Sequence, residues 1–223
     1  MKAVALFSGG KDSFLSINIA TMLGMDIEAA ITVIPPQDSM MFHHPNATLG
    51  SLISGCLGIR SIAVSEEGFE GAISKFGGDA LIAGAVESEY QRSRLEQICC
   101  KYDLIPFFPL WRRDNESIIV EFIQTGSSGI FTSVAAEGLD EGLLGKEINL
   151  SSLNYLKKAR EKYGISLIGE GGEYETLVTC PNFGDCCIEI ERIRIVDRGI
   201  QKNLSVEEYR VIPSRNVRHP TGP

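Results

Sequence analysis

The amino-acid sequence predicts an α/β protein, a doubly wound parallel sheet followed by a smaller mixed α+β lobe. Three observations carry that prediction. Short apolar runs alternate with stretches of helical periodicity from Lys2 to Asp103. A glycine pair joins the first apolar run directly to the first helical stretch. Beyond Leu104 the pattern changes to aromatic, proline-broken sequence and then to a mixture of helical and alternating segments.

Taken in order, KAVALFS is too apolar for a one-sided strand and predicts one buried on both faces. DSFLSINIATMLG spaces Phe14, Leu15, Ile17, Ile19 and Leu23 as a helix does and closes at Gly24, a residue suited to the left-handed turn that ends helices. IEAAITVI is a second strand, stopped by Pro35 and Pro36. A polar loop through QDSMMFHHPN leads to a helix over LGSLISGCLG. RSIAVS is a third strand, EGFEGAISKFG a helix, and DALIAGAV, Asp79 to Val86, a fourth strand. YQRSRLEQICCKYD is a helix with Arg92, Arg94 and Glu96 set among apolar positions. Strands alternating with helices imply parallel βαβ units.

In the second lobe NESIIVEFIQTG predicts a helix, SGIFTSVAA a strand, LSSLNYLKKAREKYG a helix, ISLI a short strand, and CCIEIERIRIV a strand with clean alternation. PSRNVRHPTGP has two prolines and no apolar pattern. The expected division is a nucleotide-binding domain over 1–104, an α+β substrate lobe over 105–212 and a flexible tail over 213–223.

Composition excludes several classes. With 43% apolar and 22% charged residues in 223, the chain is an ordinary globular protein able to bury a sizeable core. No apolar run is long enough for a membrane span, and the run Ala3 to Phe7 is too short for a signal peptide. A net charge of −8 argues against a broad nucleic-acid surface. The six cysteines include no C-x-x-C, and adjacent pairs in a strand face opposite ways, so they are expected to be reduced structural thiols in a cytoplasmic protein.

SGGKDS, Ser8 to Ser13, carries the chemistry. A Walker A loop fails twice, because Asp12 follows Lys11 and Ala5 stands where the first glycine belongs. What remains is a strand, a tight turn and a helix start. Glycines there admit close backbone approach, the helix N-terminus offers N–H groups, Ser8 and Ser13 offer hydroxyls, and Lys11 adds a full charge. That is an anion site. Asp12 repels a bare phosphate, so it suggests a bridging Mg²⁺ or a cap.

Other candidates follow from residue type. GEGGEYE, Gly169 to Glu175, packs three carboxylates beside glycines. Glu170, Glu173 and Glu175, with Gly171 and Gly172, suit an ammonium ion, a metal or a basic protein surface, and the glutamates could take protons from attacking ammonium. Tyr90, Gln91, Arg92 and Arg94 open a helix straight after the fourth strand. Two arginines two residues apart diverge on a helix and do not share one phosphate. His43 and His44 sit in a loop of the kind that lines such sites. Trp111 reads as core.

SGGKDS at the end of a first strand resembles the PP-loop of the N-type ATP pyrophosphatases, which cleave ATP between the α and β phosphates. SMMFHHPN, YQRSRLEQIC, PLWRRD, EGLDEGLLGK and GEGGEYETLVTCP are similar to the diphthine–ammonia ligase family, in its short archaeal-type form, from residue 2 to about residue 190. One departure is Met40, where the family pattern has an aromatic. The resemblance implies a HUP-like first domain with its site at the carboxyl end of the first strand. It also implies ATP and Mg²⁺ as cofactors, and ATP-dependent amidation of diphthine on translation elongation factor 2 by ammonium. In that reaction Ser8, Gly9, Gly10, Lys11 and Ser13 would hold the pyrophosphate part of the nucleotide, with Asp12 near the metal. A homodimer is left open. The competing readings are another PP-loop enzyme acting on tRNA or a small molecule, and a non-catalytic nucleotide-binding module.

Overall fold

The computed structural model describes residues 1–34, 46–76 and 78–214 and divides into two compact units, Met1–Arg113 and Asp114–Pro223. The first unit is a parallel five-stranded sheet in the order β3-β2-β1-β4-β5. Its strands are β1 (Lys2–Leu6), β2 (Asp26–Val33), β3 (Arg60–Val64), β4 (Ala80–Ile82) and β5 (Ile105–Phe107). The connecting helices are α1 (Lys11–Met22), α2 (Ala47–Cys56), α3 (Phe69–Phe76) and α4 (Glu89–Lys101).

The expected parallel α/β architecture is borne out. Ala3, Val4 and Ala5 of β1 and Ala80, Leu81 and Ile82 of β4 are all buried, as their unbroken apolar runs require. On α1, Phe14, Leu15 and Ile17 are buried, whereas Leu23 lies past the last turn and is exposed. The chain builds β1, β2 and β3 in one direction and then returns to add β4 and β5 on the other side of β1. Between β1 and β4 the winding reverses, and in open α/β sheets that is where ligands bind, outside the carboxyl ends of the strands.

Two expectations need correction here. The strand expected over residues 79–86 stops at Ile82, and Gly84 beyond it lies close against the backbone of Asp12 and Ser13. IPFFPLW, placed in the second lobe, belongs to the first unit: Ile105, Pro106 and Phe107 pair with β4, so that unit closes at Arg113 and not at residue 104. Proline is tolerated there because β5 is the edge of the sheet.

The second unit holds α5 (Asn115–Gln124), β6 (Ser128–Val134), α6 (Leu150–Tyr163), β7 (Tyr174–Cys180), β8 (Cys186–Arg198) and β9 (Gln201–Pro213). Its strands form an antiparallel sheet in the order β7-β6-β9-β8. Phe122, Phe131, Leu156, Tyr174, Val178 and Leu204 are buried in this unit, and Lys157 of α6 donates to Glu116 of α5 at 2.8 Å. ISLI is irregular chain, not a strand. Pro213, assigned to the tail, ends β9, and the residues beyond 214 lie outside those described.

The cysteines also differ from expectation. A short turn brings the Cα atoms of Cys180 and Cys187 to 4.3 Å, and a disulfide joins them. Cys99 and Cys100 are thiols. Burial, with the nearby Glu96 carboxylate adding to it, pushes the Cys99 thiol up to about 11. No group of three or more metal-ligating side chains occurs among the described residues, and no helix among them is long and apolar enough to cross a membrane.

Candidate active site

The turn leaving β1 is tied together by its own hydroxyls. Ser13 Oγ donates to the Gly10 carbonyl at 3.0 Å and lies 3.1 Å from Ser8 Oγ. With its proton committed to Gly10, Ser13 leaves Ser8 as the donor between the two hydroxyls. The Ser8 N–H donates to Ser13 Oγ at 3.3 Å, and the Gly10 N–H donates to Ser8 Oγ at 3.3 Å. Gly9 has φ 85°, the left-handed region that disfavours a side chain. Gly10 is the N-cap of α1 and has no side chain with which to cover the first N–H groups.

Lys11 is only 3% exposed, and its Nζ donates to Asp12 Oδ2 at 2.9 Å. A buried ammonium is costly without a partner, and the neighbouring carboxylate offsets part of that cost. Asp12 retains about a quarter of its side-chain surface (27%), although its Oδ1 is itself buried.

Two residues missed by the sequence reading hold this turn. A Cβ on Gly84, just past β4, would fall 2.7 Å from both the Asp12 carbonyl carbon and the Ser13 nitrogen. A Cβ on Gly50 of α2 would fall 2.9 Å from the Ser8 carbonyl oxygen. Both distances are shorter than any real Cβ contact, so these positions admit only glycine as the turn stands. The signal was present in the sequence. A glycine inside a helix costs roughly 1 kcal/mol against alanine and implies a packing reason, and one after a buried strand implies close backbone approach.

Ser88 caps α4, its hydroxyl accepting from the Gln91 N–H at 3.2 Å. Arg92 and Arg94 diverge as their spacing requires. Arg92 Nε donates to Glu96 at 2.7 Å, and Arg94 donates to Glu66 of the α3 approach at 2.7 Å. The Glu66 hydrogen bond is the main reason the Arg94 guanidinium is raised above its ordinary value. Tyr90 is 77% exposed. Trp111, expected as core, is half-buried between two cations: the Arg92 guanidinium stands 4.8 Å from its ring centroid and that of Arg112 5.3 Å. Arg112 also pairs with Glu89 at 2.6 Å and holds φ 56°, a left-handed conformation rare for arginine. His43 lies outside the described residues.

In the second unit, Gly169 to Glu175 forms a tight turn ahead of and into β7. The Gly172 N–H donates to the Gly169 carbonyl at 3.0 Å, and both glycines have positive φ. The three glutamates are not equivalent. Glu173 is turned inward, where its Oε1 accepts from the Ser166 N–H at 3.1 Å and its Oε2 is buried without a hydrogen-bond partner. Its backbone carbonyl accepts from Ala135 at 2.8 Å. Glu175 stands in β7 opposite Ser133 of β6. Glu170 lies at the head of the turn, partly exposed.

Two family profiles match the chain, one described as the diphthamide synthase N-terminal domain over residues 1–105 and one as the diphthamide synthase C-terminal domain over residues 114–212. A Danio rerio protein named diphthine--ammonia ligase is 33% identical over 215 residues, covering 82% of this chain and 84% of that protein. The Homo sapiens protein of the same name is 31% identical over 216 residues, covering 82% of this chain and 80% of that protein. A solved structure, a predicted subunit of tRNA methyltransferase from Methanocaldococcus jannaschii, superposes with a TM-score of 0.45 at 15% identity over 81% of this chain and 97% of that one, too loosely to argue from.

Proposed function

The chain belongs to the diphthine–ammonia ligase family, and from that premise we propose that it uses ATP and ammonium to amidate the diphthine carboxylate of translation elongation factor 2, in the cytoplasm, releasing AMP and pyrophosphate. A carboxylate resists ammonia because it would have to expel oxide. Attack of a carboxylate oxygen on the α-phosphorus, with pyrophosphate leaving, makes that oxygen part of AMP. Ammonia then adds to the carbonyl carbon, AMP departs, and the surplus protons pass to a base or to water. No enzyme nucleophile enters, so the demand on the protein is positioning and charge stabilisation.

The Ser8–Ser13 turn supports this reading most directly. It combines a left-handed glycine, an N-terminal helix turn and a buried lysine at the carboxyl end of β1. Lys11 would offset charge gathering on the phosphates, and the Ser8 hydroxyl would re-aim from Ser13, and that of Ser13 from the Gly10 carbonyl, toward phosphate oxygens. Asp12 would hold Mg²⁺, which neutralises phosphate charge when bound. Mg²⁺ keeps several waters and needs only one or two carboxylates, so a site with a single aspartate fits it.

Of the acidic turn, Glu170 is assigned to ammonium binding and proton acceptance. Glu173, facing Ser166, acts chiefly by holding the turn. Gly171, Gly172, Glu175, Tyr90, Arg92, Arg94 and His43 are assigned to the protein substrate. The test is to incubate the chain with ATP, Mg²⁺, ammonium and diphthine-bearing elongation factor 2. AMP and pyrophosphate should form together with a diphthamide peptide, the hydroxyl-to-amino change being read by peptide mass. Release of ADP in place of AMP, or an unmodified factor, would overturn the reading.

A further inference from the structure

The β8–β9 hairpin carries a pattern that the ligase reaction does not use. β8 ends the order β7-β6-β9-β8, so among the described residues its backbone pairs along one side only. Along that edge the chain reads Glu189-Ile190-Glu191-Arg192-Ile193-Arg194. Reversed, with each charge exchanged for its opposite, the stretch reads the same. Laid antiparallel on itself about a two-fold axis between residues 191 and 192, it sets Glu189 against Arg194, Ile190 against Ile193 and Glu191 against Arg192 of a second copy.

The hairpin register supports the same contact. β8 shifts register with β9 between Ile190 and Arg192 and again between Arg192 and Ile193. Those shifts correct a break in alternation, so Ile188, Ile190, Ile193 and Ile195 share a face with their cross-strand partners Val211, Tyr209, Val206 and Leu204. Ile193, Ile195, Tyr209 and Val211 on that face are 40–48% exposed. Edge strands are commonly guarded by charges that repel a second edge. Here the charges attract one.

We propose that this chain forms a two-fold dimer by antiparallel pairing of β8 with β8 of a second copy, continuing the sheet and its apolar face across the axis. The contact is isologous: each copy presents Glu189 to its mate and receives a glutamate on Arg194. Within one chain Glu189 and Glu191 pair with Arg210, Arg192 with Glu207 and Glu208, and Arg194 with Glu207, but these are solvent-accessible bridges that contribute little to folding.

The experiment is sedimentation velocity on the full chain and on two charge reversals, Glu189→Arg and Arg194→Glu. Wild type should sediment as two chains. Each variant alone places like charges across the axis and should weaken the dimer tenfold or more, by about the scale of a mispaired interface charge. An equimolar mixture should restore the dimer, since the new arginine of one variant meets the new glutamate of the other. Amide exchange on wild type gives a reading that needs no variant: residues 189–194 should exchange more slowly in concentrated than in dilute protein. A wild type that is monomeric at about 100 μM, variants as dimeric as wild type, a mixture that fails to reassociate, or exchange independent of concentration would each overturn the proposal.

Discussion

At Gly84 a single added methyl group would meet the backbone of Asp12 and Ser13 at 2.7 Å, and backbone at the start of a helix has little room to retreat. Gly84→Ala should therefore move the Ser8–Ser13 turn. Overpacking of this kind costs about 1–3 kcal/mol, and the ATP KM should rise at least as clearly as the melting temperature falls. Gly71→Ala is the matched control, since a Cβ there meets nothing within 4 Å on α3; it should leave KM unchanged and hold or slightly raise stability. Lys11→Met keeps the buried volume and removes the charge. It should cut turnover about a hundredfold, the scale of other lost transition-state donors, and a variant with wild-type pyrophosphate release would remove Lys11 from the chemistry. Glu170→Gln should raise the ammonium KM; an ammonium dependence identical to wild type would remove Glu170 from that role. The sequence disclosed Lys11 through its motif; the signal of Gly50, a glycine inside a helix, went unread. It did not disclose that Glu173 faces inward, because that orientation is set by the Ser166 N–H, seven residues away around a turn.

Among elements, legibility follows how much of the folding signal is local. β1, α1, α4, α5 and α6 carry their apolar pattern within their own residues, and α4, α5 and α6 have a local side-chain cap as well. Asn149 illustrates this, accepting from the Ser151 and Ser152 N–H groups while the Ser152 hydroxyl accepts from the Asn149 N–H. β5, β7 and β9 were missed because their pairing partners lie elsewhere in the chain, and β5 contains a proline that only an edge tolerates. The alternation of CCIEIERIRIV looked clean, yet it breaks phase at Glu191-Arg192, and a register shift restores it. Asp114, the N-cap of α5, gives a testable case of a local signal. Its carboxylate accepts from the Ser117 N–H and hydroxyl, both at 2.8 Å, and the backbone bond first, then the hydroxyl, hold its pKa below the ordinary aspartate value. A depressed folded-state pKa stabilises above the unfolded value and loses that contribution as pH falls through the folded one. Asp114→Asn should thus have a lower urea midpoint than wild type at neutral pH. The two midpoints should converge in acid, below the unfolded aspartate pKa. A gap that stays constant with pH would show that the carboxylate charge is not what the cap contributes.

For the molecule as a whole, charge favours one of two proposed substrates that the Ser8–Ser13 turn alone does not distinguish. A PP-loop supplies an activated phosphate to a tRNA base as readily as to a protein carboxylate. Binding tRNA needs a field of Lys and Arg that displaces counterions. This chain carries 29 acidic against 21 basic residues, a net charge of −8. Several of the described arginines and lysines are also engaged: Arg92 with Glu96, Arg94 with Glu66, Lys101 with Glu70, Arg112 with Glu89, Lys157 with Glu116, and Arg192, Arg194 and Arg210 with glutamates of the β8–β9 hairpin. Each such pair cancels locally the positive potential that a polyanion would follow. At about 0.15 M salt, where the screening length is about 8 Å, unmodified tRNA should give no anisotropy change with the protein and no increase in AMP release. Diphthine-bearing elongation factor 2 should raise AMP release under the same conditions. If tRNA stimulates AMP formation and the factor does not, the turn serves a different acceptor, and the acidic surface must then hide a basic groove that these ion pairs do not reveal.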